Sequence, residues 1–540
     1  MTAAFDTDIV IVGAGSAGCV LAQRLTARRD LEVTLLEAGG ADDHRWIRVP
    51  LGYARTIADP RVNWCYTSAP VGALDGRRIP YPLGRTLGGS SAINGLVWVH
   101  GHPTDYAHWA LAAGEAWGWP AMRAALRSLE AAAPGIAGDR GRDGPQPVAC
   151  ADTSHPLVRA ALGAAAAAGL PTDADFSGGC SFGIGPVHVT VRHGQRVSAA
   201  QAFLHPARRR PNLRVLTGAQ VRRIVLQDGR ATGVEAETSA GGLKVRARRS
   251  VVLAAGAVHS PQLLMLSGIG PPAALQLLGL GVHTAAPDVG LHLQDHLQLR
   301  CVYEARRGTT LNQLFHSRWR QAWAGVQHAL ARRGWLAQGA LRLVGYVPST
   351  LASGAPDLQL FLALLSTDRL GGPPHRFPGL SFSVVPLRSR ARGAVTLASA
   401  DPAAAPRIEL PLLGDPDDLK RLADGLAWVR RIVAQRPLAD EIVREVQPGP
   451  AVQDDCALAA FTRANATTIY HPVGTCRMGR DEASVVDPRL RVRGVAGLRV
   501  ADASVMPRIV SGNTNAATMA IADRAAALLL EDLDRPGAIP

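Results

Sequence analysis

Residues 470–479 read YHPVGTCRMG, and the side chain there best suited to chemistry is His471. Imidazole titrates nearest to neutral pH, so a histidine within hydrogen-bond reach of a hydroxyl can take its proton. Pro472 disfavours helical geometry at the residue before it and keeps His471 on an extended loop. An alcohol whose proton has been taken releases hydride from its carbon far more readily, so a base of this kind suits alcohol oxidation. Two other stretches compete. "GCSFG" (179–183) fits the G-x-S-x-G of a nucleophilic serine, but no strong strand leads into it and it sits in a glycine-rich run. "HGHPTDYAHW" offers His100, His102 and His108 as metal ligands; the proline after His102 and the lack of an acidic or cysteine ligand set favour a packed loop, and no metal is expected.

A hydride needs an acceptor, and the chain opens with a place to hold one. "DIVIVGAGSAGCVLAQRL" runs from an apolar strand, Ile9 to Val12, through Gly13, Gly15 and Gly18 into a helical stretch. The glycines would serve as a tight turn, a gap for phosphates and a close helix–strand contact, with the pyrophosphate at the helix N-terminus. A second apolar strand, "EVTLLEAG", ends in Glu37, 19 residues after Gly18, where a carboxylate can take ribose hydroxyls. No second glycine fingerprint follows a later strand; the nearest candidate, "VVLAAGA" (Val251 to Ala257), suits a backbone passing close to the same ligand. One dinucleotide is therefore expected: NAD as a co-substrate, or FAD reduced by the substrate itself.

The bulk numbers fit a two-domain enzyme. At 540 residues the chain exceeds what one core usually supports. Composition is globular, with 47% hydrophobic and 19% charged residues, and no apolar run approaches a membrane span. The N-terminus passes directly into a strand with no room for a secretion signal, so a soluble, cytoplasmic protein is expected, with peripheral membrane contact left open. Seven scattered cysteines without a CxxC pair fit neither a disulfide framework nor a zinc site. The net charge of +14 comes almost wholly from dispersed arginines, whose short runs carry no interleaved aromatics, which argues against nucleic-acid binding.

Two longer motifs decide the cofactor. "GRTLGGSSAIN" (84–94) gives a loop whose backbone can approach a flat ring or a phosphate. "GAVHSPQLLMLSGIG" (256–270) reads as a strand exit, an N-cap at Ser260, Pro261 in the first turn and a short apolar helix. With the N-terminal fingerprint and the His471 stretch, these resemble the glucose–methanol–choline family of FAD-dependent oxidoreductases, in order and spacing from residue 6 to about residue 530. Within it the chain is most similar to bacterial choline, aliphatic alcohol and sorbose dehydrogenases.

The resemblance implies an α/β fold, α+β overall: a Rossmann-like FAD-binding domain with an interleaved substrate domain on a six-stranded antiparallel sheet. We expect residues 1–158, 196–297 and 458–540 in the first domain, and 159–195 and 298–457 in the second. It implies His471 as general base, Asn515 as its partner on the substrate oxygen, and hydride transfer to flavin N5. FAD contacts are implied at Gly13, Gly15, Ser16, Gly18, Glu37 and Ala38, and in the first signature at Arg85, Leu87, Gly88, Gly89, Ser90, Asn94, Gly95 and Val97. Further contacts are implied at Val221, Ala255, Asp502, Ala503, Asn513 and Thr514. The helix beginning near Asn515 would turn its positive end to the flavin's pyrimidine edge, with Asn513 or Asn515 as its cap.

Departures from the family pattern narrow the reading. Ile93 stands where some relatives carry a histidine that tethers FAD, so non-covalent FAD is expected. "QDHLQ" places Gln298 where choline oxidisers carry a glutamate, which disfavours choline and favours a neutral primary alcohol or polyol. Trp319, Trp323 and Trp335 could build a cation cage or belong to the core. Electrons would pass on to dioxygen, a quinone or a carrier protein. The alternatives are a hydroxynitrile lyase-like enzyme with FAD as a bystander, a choline dehydrogenase, and a silent flavin-binding module.

Overall fold

A computed structural model describes residues 3–177, 181–369 and 372–535. Its first sheet places strands Leu213–Leu216, Val33–Leu36, Ala3–Val12, Gly241–Leu253 and Leu498–Val500 side by side, all parallel. The last four residues of strand Ala3–Val12 and all of Val33–Leu36 are buried, as continuous apolar runs in a parallel sheet covered on both faces must be. Strand Gly241–Leu253 changes character along its length. Its first half alternates between buried and open residues and pairs antiparallel with Arg230–Thr238, which pairs in turn with Gln220–Gln227; its last four residues are wholly buried in the parallel part.

The second sheet is antiparallel throughout. Strands Ile442–Gln447, Leu297–Ala305, Gly379–Pro386, Leu358–Ala363, Leu341–Val347 and Gly183–Pro186 follow in that order, with the two-residue strand Thr467–Thr468 beside Leu297–Ala305. Alternate residues divide between its faces. Leu299 and Cys301, with Leu380, Phe382 and Val384, pack in one core with Leu422, Leu426 and Val429 of helix Asp418–Val433. Gln298 and Arg300, with Ser381 and Ser383, face a cavity. Helix Pro156–Ala167 packs whole on this second core, so residue 158 falls inside it rather than at a boundary.

Several expectations are corrected here. Helix Gly256–Leu266 starts four residues before Ser260, because Asp502 accepts from the Gly256 N–H at 2.9 Å and caps it. Pro261 then lies inside the helix and leaves the Ala257 carbonyl without its usual partner; Thr475 Oγ donates to that carbonyl at 2.6 Å. Asn513 and Asn515 do not cap helix Asn515–Asp534, whose N-cap is Thr514 without a side-chain bond. The Gly/Arg/Asp stretch 134–147, whose composition reads as a surface loop, instead buries Arg140, which pairs with the buried Glu130 at 2.6 Å. Gly179 and Cys180 of "GCSFG" lie outside the described residues. His100 sits on Glu130, His102 accepts from Thr104 N at the start of helix Pro103–Ala113, and His108 faces Arg508, so the three histidines do not converge.

Candidate active site

Between the two sheets lies a cavity of about 550 Å³. One end is built by the first strand–turn–helix. Gly13 adopts φ +99°, and a Cβ there would lie 2.7 Å from the Ala254 carbonyl. A Cβ on Gly18 would lie 1.8 Å from the Gly13 carbonyl oxygen, so this glycine lets helix Ser16–Leu25 seat on the turn. A Cβ on Gly15 meets nothing closer than 4.0 Å, and that residue lines the cavity. Glu37 closes this end. Its Oε2 accepts from Ala14 N at 2.9 Å and its Oε1 from Gly39 N at 2.8 Å, and burial raises its carboxyl to about 6. Each oxygen keeps a lone pair for a ribose hydroxyl.

Ser16, Ala38, Gly89, Ser90, Asn94, Gly95 and Val97 line the cavity, as do Val221, Ala255, Asp502, Ala503, Asn513 and Thr514. Gly18, Arg85, Leu87 and Gly88 support the lining from behind; the Arg85 guanidinium stacks over Trp64 at 4.5 Å. Asp502 is committed to the protein. It accepts from Gly256 N and Ser260 Oγ on one oxygen and from Ser504 N and Oγ on the other, at 2.6–2.9 Å. Burial lifts its carboxyl above the ordinary range against these bonds. Ile93 also lines the cavity, with no atom able to form a tether.

The other end holds His471. Tyr470 before it takes φ +64°, a conformation disfavoured for a bulky residue, and Asp295 Oδ1 accepts from His471 N at 2.8 Å. The same Asp295 oxygen accepts from His296 N, while Oδ2 accepts from Tyr81 OH at 2.5 Å. His471 Nδ1 lies 3.0 Å from His296 Nδ1, and His471 Nε2 lies 3.1 Å from the Asn513 amide nitrogen. An amide nitrogen only donates, so Nε2 is the acceptor and His471 Nδ1–H donates to His296. Burial first, then the neighbouring His296, hold His471 well below the usual imidazole range; burial takes His296 to about 3. The buried Asn513 Oδ1 has no protein partner.

The expectation that Asn515 partners His471 is corrected by this geometry. Asn515 is the first residue of helix Asn515–Asp534 and its Oδ1 accepts from Ser16 Oγ at 2.7 Å, tying together the starts of the two helices that border the cavity. Asn513 precedes the N-cap and reaches the histidine. Sequence reasoning also missed His296, Asp295 and Tyr81; the adjacent acid and histidine in "QDHLQ", beside the strand that carries Gln298, were the available signal. Pinning explains the rest of the 470–479 stretch: Gly474 takes φ +92° against the His292 carbonyl, Cys476 N donates to Ser504 O, and Arg477 pairs with Asp288 and Asp481.

The family models for GMC oxidoreductase match residues 7–298 and 389–522. The chain is 40% identical over 531 residues to an alcohol dehydrogenase [acceptor] of Pseudomonas putida, covering 98% of this chain and 96% of that protein. It is 37% identical over 521 residues to an oxygen-dependent choline dehydrogenase of Rhizobium johnstonii, covering 96% and 94%. Among solved structures it is similar to pyridoxine 4-oxidase from Mesorbium loti, with TM-score 0.87, 32% identity and coverage of 96% and 98%. It is also similar to an Aspergillus oryzae formate oxidase, with TM-score 0.92, 26% identity and coverage of 98% of each chain. The chain belongs to the GMC oxidoreductase family, and it is an FAD-dependent oxidoreductase. The glycine cradle, the open lone pairs of Glu37 and the unpartnered Asn513 oxygen fit that cofactor.

Proposed function

We propose that the protein oxidises a primary alcohol or polyol to the aldehyde or ketone, with His471 as general base and Asn513 as its partner on the substrate oxygen. The contact that carries this reading is the 3.1 Å approach of the Asn513 amide to an unprotonated His471 Nε2 at the cavity wall. The substrate hydroxyl proton passes to Nε2 while the Asn513 amide holds the oxygen; His296 accepts from Nδ1 and fixes the ring. FAD bound there would supply the acceptor for the hydride of the carbinol carbon, so that deprotonation at His471 Nε2 leaves the carbonyl product. Glu37, the three glycines and the signature loop hold the dinucleotide, and the FAD is not covalently attached.

The FAD-binding, Rossmann-like part in this reading comprises residues 1–155, 196–297 and 458–540, and the substrate part 156–195 and 298–457, helix Pro156–Ala167 going whole to the second; the membership of the two sheets supports the division, strand Thr467–Thr468 apart. Choline is disfavoured because Gln298 is neutral and donates its amide to Ser383 Oγ at 2.7 Å, leaving no carboxylate there for a quaternary ammonium.

The test is an anaerobic visible spectrum of the holoenzyme before and after a panel of primary alcohols and polyols. Bleaching of the oxidised-flavin band is expected, and acid precipitation should leave the flavin in the supernatant. A band unchanged by every alcohol would refute the oxidation.

A further inference from the structure

We propose that Arg300 binds a carboxylate on the substrate, so that the alcohol oxidised is a hydroxy acid; this rests on the alcohol oxidation proposed above. Among the described residues lining the cavity, Arg300 is the one permanently charged cation. Its side chain makes a hydrogen bond from Nη1 to Thr367 Oγ1 at 2.9 Å, and among the described residues no carboxylate pairs with it. The two lining carboxylates are held elsewhere, Glu37 by backbone N–H groups and Asp502 by four donors. Burial lowers the guanidinium's proton affinity, the expected cost of taking an unpaired cation from water.

Its position completes the case. Strand alternation sets Arg300 on the same face as Gln298, opposite Ser383 in register, and its charge acts on Tyr470, the residue before His471. A carboxylate held in the guanidinium's fork would lie on the side of the cavity that carries the base. On this proposal the alcohol is anionic, not the neutral one that Gln298 suggests. The reaction balances: the carbinol proton goes to His471 Nε2, the C–H electron pair leaves as hydride to FAD, and an oxo acid remains with its carboxylate unchanged.

The experiment compares hydroxy acids of graded length with neutral alcohols of the same length, by rapid anaerobic flavin reduction in wild type, Arg300→Met and Arg300→Lys. Hydroxy acids should bind wild type more tightly, Arg300→Met should weaken them by about 10- to 100-fold more than it weakens neutral alcohols of the same length, and Arg300→Lys should fall between. Equal losses for both substrate classes, or a wild type preferring the neutral partner, would overturn the proposal. Carboxylates lacking a hydroxyl, followed by their perturbation of the oxidised-flavin spectrum, read the site without turnover. Their loss in Arg300→Met, with no alcohol reducing the flavin, would uphold the anion site and refute the oxidation.

An independent observation lies outside the cavity. Helix Arg318–Ala331 exposes Trp319 (78%), Trp323 (55%), Val326 (45%) and Leu330 (84%). Spacings of four, three and four residues put them in one stripe, opposite the buried Ala324 and His328, with the exposed Arg318 and Arg320 on either flank. Residues 305–356 contain seven arginines and no aspartate or glutamate. The helix follows directly on Leu311–Phe315, whose Phe315 lines the cavity.

The geometry points to an anionic lipid surface as the occupant: the stripe is of the kind that lies in a headgroup layer, and although Arg307 pairs with Glu441 and Arg342 is buried, the flanking Arg318 and Arg320 pair with no carboxylate among the described residues and complement phosphatidylglycerol. The holoenzyme should co-sediment with phosphatidylcholine vesicles containing phosphatidylglycerol at least about tenfold better than with phosphatidylcholine alone. A Trp319→Ser, Trp323→Ser double variant should lose this while oxidising soluble alcohols as before. Equal partition into both vesicle types, vesicle binding unchanged in the variant, or a dimer that the variant dissolves would overturn it.

Discussion

His471→Ala is expected to retain its FAD and to reduce it with alcohol about 10²- to 10⁴-fold more slowly than wild type. The magnitude follows from what the residue contributes. His471 is 7% exposed and faces the cavity, so no bulk water stands ready to replace it as base. It makes no contact with Gly13, Gly15 or Glu37, so the dinucleotide end is untouched. The pH profile is a second readout. Protonation destroys the base, and burial together with His296 lowers the affinity of His471 for that proton. The reductive rate should therefore persist as pH falls through 6.5, the ordinary imidazole value, with its acid limb below it. Asn513→Ala should slow reduction with FAD retained, whereas Asn515→Ala, which unties the two helix starts, should weaken FAD retention. A His471→Ala enzyme reducing at the wild-type rate, measured by anaerobic stopped flow, would sink the assignment.

The contrast between Asn513 and Asn515 shows what sequence can and cannot reach. Strand Ala3–Val12, the glycine turn and the carboxylate at Glu37 were legible because each is a local rule: a buried parallel strand reads as a continuous apolar run, and a tight turn reads as glycine. The stretch around His471 was legible as a motif, but its geometry was not. Two asparagines two residues apart straddle the start of a helix, and that start depends on where Thr514 turns, which is set by packing against the Ser16 helix. Both asparagines line the cavity, but the one before the N-cap reaches His471 and the one after it bonds Ser16 of the neighbouring helix.

The Asp295, His296 and Tyr81 support was hidden for another reason. Tyr81 and Asp295 are 214 positions apart, and nothing in either neighbourhood announces the other. Arg300 was within reach. Gln298 matches a substrate-contacting position of the family, and on an extended strand a two-residue period sets Arg300 beside it. The exposed tryptophans fall between these cases, since an apolar stripe at helical spacing normally turns inward. Only the fold shows that helix Arg318–Ala331 buries its alanine and histidine instead.

Gly18→Ala should yield protein without flavin. The added methyl would stand 1.8 Å from the Gly13 carbonyl oxygen and 3.0 Å from its carbon, both backbone atoms, so no rotamer relieves the clash. Either helix Ser16–Leu25 lifts or the Gly13 turn opens, and both move the N–H groups that would face the pyrophosphate in the proposed site. We expect FAD affinity to fall by at least about 100-fold, that is by some 3 kcal/mol or more, measured by flavin fluorescence quenching on titration of the apoprotein. Lifting the helix also strains the core of the parallel sheet, so a misfolded variant would give the same colourless result. Gly15→Ala separates the two. A Cβ there lies 4.0 Å from the nearest protein atom and projects into the cavity, so the apoprotein should melt as the wild-type apoprotein does and still fail to take up FAD. Gly40→Ala, at a position that does not line this cavity and where a Cβ meets nothing within 4 Å, should bind FAD normally. Should Gly15→Ala bind FAD with wild-type affinity, the dinucleotide does not approach that backbone, and the phosphate gap assigned to the second glycine is wrong.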